Sequence, residues 1–229
     1  MFRITTVCTG NICRSPLAEL LLRADLPATH FSISSAGVMA VPNGQVPDQQ
    51  LKIGKDLGLT DLARHRARMV TPGLIGASDL ILAMSRRHRR KLVQMDPQAV
   101  RRIFTLREFA HLAEYVTPED VEALLDTDVL SAAVEAVARM RGMVPPLESP
   151  DELDIVDPFK QSKDIYRASR DQLLPAAETT AAYFTGILDI FRESHPLTEP
   201  NIVSQGIPKI SHLPKRSELR KRMKFGRSR

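Results

Sequence analysis

Apolar and polar positions along this chain switch repeatedly between two periods. Phe2-Arg3-Ile4-Thr5-Thr6-Val7 is a short β-favouring run, and Leu17, Leu20, Leu21 and Ala24 follow it at helical spacing. His30 to Ser35, Asp79 to Met84 and Arg101 to Thr105 fit three more strands. Leu80-Ile81-Leu82-Ala83-Met84 is continuously apolar, as in a strand buried on both faces. Helical patterns lie between the strands, near residues 15–25, 47–57, 71–76 and 86–94. Strands alternating with helices predict an α/β fold on a parallel sheet. In such folds ligands gather at the carboxyl ends of the strands.

Beyond the fourth strand the pattern turns helical. Thr117-Pro118-Glu119-Asp120 looks like a helix start, and Ser131 to Arg141 is a second helical stretch ended by Gly142. A last helix is expected from about Ser162 to Arg192, with Phe184, Ile187, Leu188 and Phe191 on one face. Pro175 should kink or interrupt it. The expected organisation is one domain over residues 1–197, carrying a helical insert at about 111–150, and a tail over 198–229.

Charge sharpens that division. The formal net charge is +5, yet from Leu197 to Arg229 nine Lys or Arg face two Glu. The tail thus carries about +7 and the body is near −2. With three prolines and little periodicity, the tail is expected to be disordered, and it could contact anionic surfaces. There are only two cysteines. That count argues against a disulfide framework and fits a reducing cytoplasm. The chain opens directly on its first strand, and no apolar run reaches spanning length, so a cytoplasmic location is expected.

Both cysteines fall in Cys8-Thr9-Gly10-Asn11-Ile12-Cys13-Arg14-Ser15-Pro16, between the first strand and the first helix. The first N–H groups of a helix lack intrahelical partners and sit in positive potential, which favours a phosphate. Gly10 and Asn11 tolerate positive φ, so the amides of Thr9, Gly10, Asn11, Ile12 and Cys13 can converge on one point. Arg14 can bond two phosphoryl oxygens side by side. Ser15 fits an N-cap, or its hydroxyl can turn inward to the Cys8 sulfur. A thiol at a helix N-terminus beside a cation ionises more readily, which makes Cys8 a candidate nucleophile.

The nine-residue string resembles the active-site loop of the low-molecular-weight protein tyrosine phosphatases. The resemblance implies a three-layer α/β/α fold with a four-stranded parallel sheet, and hydrolysis of phosphotyrosine through a cysteinyl-phosphate. It implies Cys8 as nucleophile, Arg14 as phosphate clamp and Ser15 as the hydroxyl stabilising the thiolate. Asn11 would be held by a serine and a histidine, matched here by Ser35 and His65. The general acid would be Asp157, in Asp154-Ile155-Val156-Asp157-Pro158-Phe159 before the last helix. Phe159 would pack on the substrate ring. Lys160 replaces a second aromatic common in the family, and Val41-Pro42-Asn43 lacks an aromatic seen in several relatives. Ser85 stands where relatives often have Asp. No metal or cofactor is implied. The implied partner is a phosphotyrosine protein; related bacterial enzymes act on tyrosine kinases of polysaccharide export.

Three other readings compete. Arsenate reductases share the loop but need further downstream cysteines, and none follows Cys13. Protein arginine phosphatases of this fold carry threonine at the position of Ile12, which has no hydroxyl. A non-catalytic phosphate-binding module would need neither Cys8 nor Asp157.

Overall fold

The computed structural model describes residues 1–125, 128–145 and 147–194; the expected basic tail lies outside them. The elements run β1 (Phe2–Cys8), α1 (Arg14–Asp25), β2 (Phe31–Gly37), α2 (Asp48–Asp56), α3 (Pro72–Ala77), β3 (Leu80–Ala83), α4 (Arg86–Met95), β4 (Ile103–Thr105), α5 (Leu106–Ala113), α6 (Pro118–Glu122), α7 (Val129–Arg139) and α8 (Lys163–Ser194). Short 3₁₀ turns cover Thr60–Arg64, Pro97–Arg102 and Pro150–Leu153. The strands form one sheet in the order β2-β1-β3-β4, and every pairing is parallel.

Side-chain alternation divides the core in two. Phe2, Ile4 and Cys8 of β1 join Phe31, Ile33, Leu80, Leu82 and Phe104 under α1, α5, α7 and α8. Val7, Ala36, Ile81, Ala83 and Ile103 point the other way, against Ile75 of α3 and Leu92 of α4. This is the period of two expected of a strand with both faces covered. The larger core centres on Phe184 of α8, whose ring lies 5.6 Å from Phe109 and 5.5 Å from Phe31. The result is a three-layer α/β/α fold.

Several boundaries differ from expectation. Residues 97–102 wind into a 3₁₀ turn, which shortens β4, because Asp96 caps that turn through Gln98 N–H at 3.1 Å. The helix α5 begins immediately after β4. Its capping box is Thr105 with Glu108, whose backbone N–H donates to Thr105 Oγ1 at 3.0 Å and whose carboxylate accepts from Thr105 N–H at 3.0 Å. Pro175 does not interrupt α8. It lies exposed while Leu173, Ala176 and Ala177 are buried. The carbonyl that loses its donor therefore faces water, which removes most of the cost. No helix among the described residues is long and apolar enough to cross a membrane.

Candidate active site

The register of β1 puts Cys8 at the last rung of the β1–β2 ladder, opposite Gly37, with its side chain on the α1 face. The chain then curls through residues 9–13 and enters α1 at Arg14. Only Asn11 takes a left-handed conformation there, with φ 55°. Gly10, which also tolerates positive φ, does not adopt it. The glycine that the loop requires is Gly37: a Cβ there would lie 2.5 Å from the Thr9 carbonyl oxygen and 2.9 Å from the Asn11 nitrogen. Its absence lets β2 back directly onto the loop, and Met39 N–H donates to Thr9 O at 2.9 Å.

Asn11 is the hub of the loop. Its Nδ2 donates to Ser35 Oγ at 2.8 Å and to Ser15 Oγ at 3.1 Å. Its Oδ1 accepts from Arg68 N–H at 2.9 Å, and its carbonyl accepts from His65 Nε2 at 2.7 Å. Asn11 is fully buried, and each of its side-chain polar atoms has a partner. Ser35 in turn donates to Glu19 Oε2 at 2.6 Å. Burial pushes the His65 imidazole below its usual range, and the bond to Asn11 opposes this.

Cys8 Sγ accepts from Asn11 N–H at 3.2 Å and lies 3.0 Å from Ser15 Oγ. Ser15 is therefore not the N-cap; that position belongs to Cys13, which makes no side-chain cap. The inward alternative for Ser15 is the one adopted. The sulfur thus has one backbone donor and one hydroxyl neighbour, and that hydroxyl also reaches the Ala36 carbonyl at 3.3 Å. Cys13 sits in a different environment: burial first, then the charges of Cys8 and Asp157, push its thiol up to about 12.

Arg14 is buried. Its Nη1 donates to Ile155 O at 2.9 Å, and its Nη2 pairs with Asp157 Oδ2 at 2.5 Å. Its Nε is buried without a hydrogen-bond partner among the described residues. Such a donor is costly unless an oxygen meets it, and a bound phosphoryl group would supply one. Asp157 is brought to the loop from across the fold, with its side chain about half exposed. Its segment is tied down residue by residue. Arg86 N–H donates to Asp154 Oδ1 at 2.7 Å, Ile155 N–H to Met84 O at 3.0 Å, and Val156 N–H to Gln172 Oε1 at 2.8 Å. Phe159 is exposed, and its N–H donates to Asp157 Oδ1 at 3.2 Å. Lys160 has φ 60°, and its ammonium lies 5.4 Å from the centre of the Phe159 ring.

Ile12 is part-buried against Gly44, where an added Cβ would lie 3.5 Å from its Cγ2. Sequence reasoning missed four supports. Gly37, Glu19 and the Arg68 amide hold the loop, and the Ile155 carbonyl holds Arg14. Only Gly37 carried a signal, as a glycine closing a strand. The amide and the carbonyl are backbone groups that any residue would supply.

Together these groups place a cysteine sulfur at the start of a curled loop, a buried guanidinium at its end and a carboxyl group paired with that guanidinium. Residues 3–118, just over half of the chain, match the family described as low molecular weight phosphotyrosine protein phosphatase. This chain belongs to that family. A low molecular weight protein-tyrosine-phosphatase of Acinetobacter johnsonii is 35% identical over 103 residues, covering 45% of this chain and 70% of its own. A protein-arginine-phosphatase of Bacillus subtilis is 29% identical over 174 residues, covering 74% and 88%. Among solved structures, the arginine phosphatase YwlE of Geobacillus stearothermophilus matches with a TM-score of 0.58 at 28% identity, over 85% of this chain and 97% of that one.

Proposed function

We propose that this protein hydrolyses phosphotyrosine monoesters of proteins in two steps. The observation that carries the reading is the convergence of Cys8, Arg14 and Asp157 on one loop. In the first step Cys8 Sγ attacks phosphorus and the bond to the tyrosyl oxygen breaks. The loop amides and Arg14 hold the equatorial oxygens as charge builds. Asp157 gives its proton to the departing phenolate, whose conjugate acid is weak. In the second step Asp157 takes a proton from water, the water oxygen attacks phosphorus, and Cys8 leaves as thiolate with release of inorganic phosphate.

The Arg14–Asp157 contact supports this division of labour. A phosphoryl dianion on the loop competes for the same guanidinium. The guanidinium thus stands between the phosphoryl group and the carboxyl that serves the leaving oxygen.

A second reading, phosphoarginine hydrolysis, is favoured by the longer match to arginine phosphatases. Ile12 argues against it, since it offers no hydroxyl to the guanidinium or to water. Phosphotyrosine, phosphoarginine and phosphoserine peptides assayed side by side decide the matter. The phosphotyrosine peptide should give the highest kcat/KM, and Ile12→Thr should raise the phosphoarginine to phosphotyrosine ratio. A wild-type preference for phosphoarginine would overturn the first reading. A bacterial tyrosine kinase is the candidate substrate protein, and the cytoplasm the candidate location.

A further inference from the structure

A polar cluster that the proposed mechanism does not use touches the loop from the α4 side. His88 is buried at the first turn of α4. Its Nε2 lies 2.8 Å from Thr9 Oγ1, and its Nδ1 lies 2.8 Å from Ser85 Oγ. Ser85 Oγ also accepts the His88 backbone N–H at 3.3 Å, so the serine caps α4 and orients the ring at once. We propose that His88 is a positioning residue of the phosphate loop: oriented by Ser85, it fixes Thr9 and with it the run of amides that follows Cys8. The inference rests on the phosphatase reading above.

Asn11 and its partners secure only the later half of the loop. Thr9 is held at two points, by Met39 N–H on its carbonyl and by His88 on its hydroxyl. α4 is braced to the same corner, because Lys91 Nζ donates to Val38 O at 3.2 Å. Gly10 lies between Thr9 and Asn11 and gains its position from both neighbours. Loss of the His88 contact therefore frees the Thr9-Gly10 half of the cradle while leaving the Asn11 half intact.

The ring is suited to this work because it is neutral. Burial, and then the charge of Arg14, push His88 down to about 4. A neutral imidazole has one donor and one acceptor nitrogen. Ser85 Oγ and Thr9 Oγ1 can each donate or accept, so either neutral tautomer is held at both nitrogens. In both tautomers one ring nitrogen donates and the other accepts, so neither is left without a partner.

The test is a pair of double-mutant cycles on the full chain, read by vanadate affinity and by kcat and KM for an aryl phosphate. Thr9→Val and His88→Leu should each lower kcat/KM and vanadate affinity about tenfold, and the double variant should be no worse than either single one. Ser85 and Thr9 each bond the His88 ring and not one another, so coupling between Ser85→Ala and Thr9→Val is expected to run through His88. That second cycle decides alone if His88→Leu does not fold. A merely structural role would lower the melting temperature but leave kcat/KM per vanadate-binding site at the wild-type value, and that result overturns the inference. Losses that add in both cycles also overturn it. Wild-type turnover is the reference: its absence would overturn the phosphatase reading, which is a distinct failure.

Discussion

The two halves of this site are built in opposite ways. The phosphate loop is compact in sequence and buried: Cys8, Asn11, Arg14 and Ser15 all lie within one curl of chain and are almost inaccessible. The acid segment is half exposed, and its fastenings reach far. Arg86 lies 68 residues from Asp154, and Arg14 lies 141 residues from the Ile155 carbonyl it holds. The first is a rigid cradle made by a strand running into a helix. The second is a strap whose geometry depends on β3, α4 and α8 being in place. The difference matches the tasks proposed for them. A cradle must be preorganised for the transition state, whereas a strap must let a peptide substrate in beside it.

Substitutions should separate the two regions. Cys8→Ser should reduce turnover below about one-thousandth while vanadate still binds, because the amides and Arg14 remain. Retained turnover of a few per cent would remove Cys8 as nucleophile. Asp157→Asn should slow phosphorylation by about 10²–10⁴-fold for esters with poor leaving groups, and far less for nitrophenyl phosphate. Equal losses in a single-turnover assay would deny Asp157 the acid role. Gly37→Ala should destabilise the fold by about 1–3 kcal/mol and weaken vanadate binding, since its Cβ has only backbone to displace. Thermal melts with and without vanadate check this. Arg86→Gln should cost about tenfold on poor leaving groups through a misplaced acid, with vanadate affinity unchanged. A parallel loss of vanadate affinity would mean that the strap and the cradle are one unit.

The same contrast explains what the sequence could tell. The loop was legible because its chemistry is local: thiol, arginine and helix start are spaced by the loop itself. The sheet was legible too, since the apolar run Leu80 to Met84 fits a strand covered on both faces, and Leu80–Ala83 forms one. The helix α5 went unread although Thr105-Leu106-Arg107-Glu108 is a capping box. Its start coincides with the end of β4, and the strand pattern masked it. The strap was legible only as Asp157-Pro158 before a helix. Its anchors are the Ile155 and Met84 backbones, the Gln172 side chain and Arg86 on another element, and no local pattern marks them. His88 was hidden for the same reason, inside the basic run Arg86-Arg87-His88-Arg89-Arg90-Lys91, where burial cannot be guessed from composition.

Acid should strain the cradle's side of this comparison first. The supports of the loop include two imidazoles, His65 and His88, both held below their usual range, whereas the strap rests on arginine, carboxylates and backbone. In the unfolded chain His88 takes up its proton near 6.5, but in the fold not until about 4. Between those values the unfolded chain binds more protons, so stability is full above pH 6.5 and falls as the pH drops through the window. Each pH unit of that window is worth at most about 1.4 kcal/mol for one group. Arg14 and Arg87 around the ring oppose its protonation, while Asp154 and Asp157 moderate the effect. Carboxylates elsewhere also titrate near the lower end, so the informative quantity is the difference between wild type and His88→Gln. The variant should melt lower at pH 7 but lose less on going to pH 5. Parallel melting curves for the two proteins across that range would show that His88 titrates as freely in the fold as in the unfolded chain.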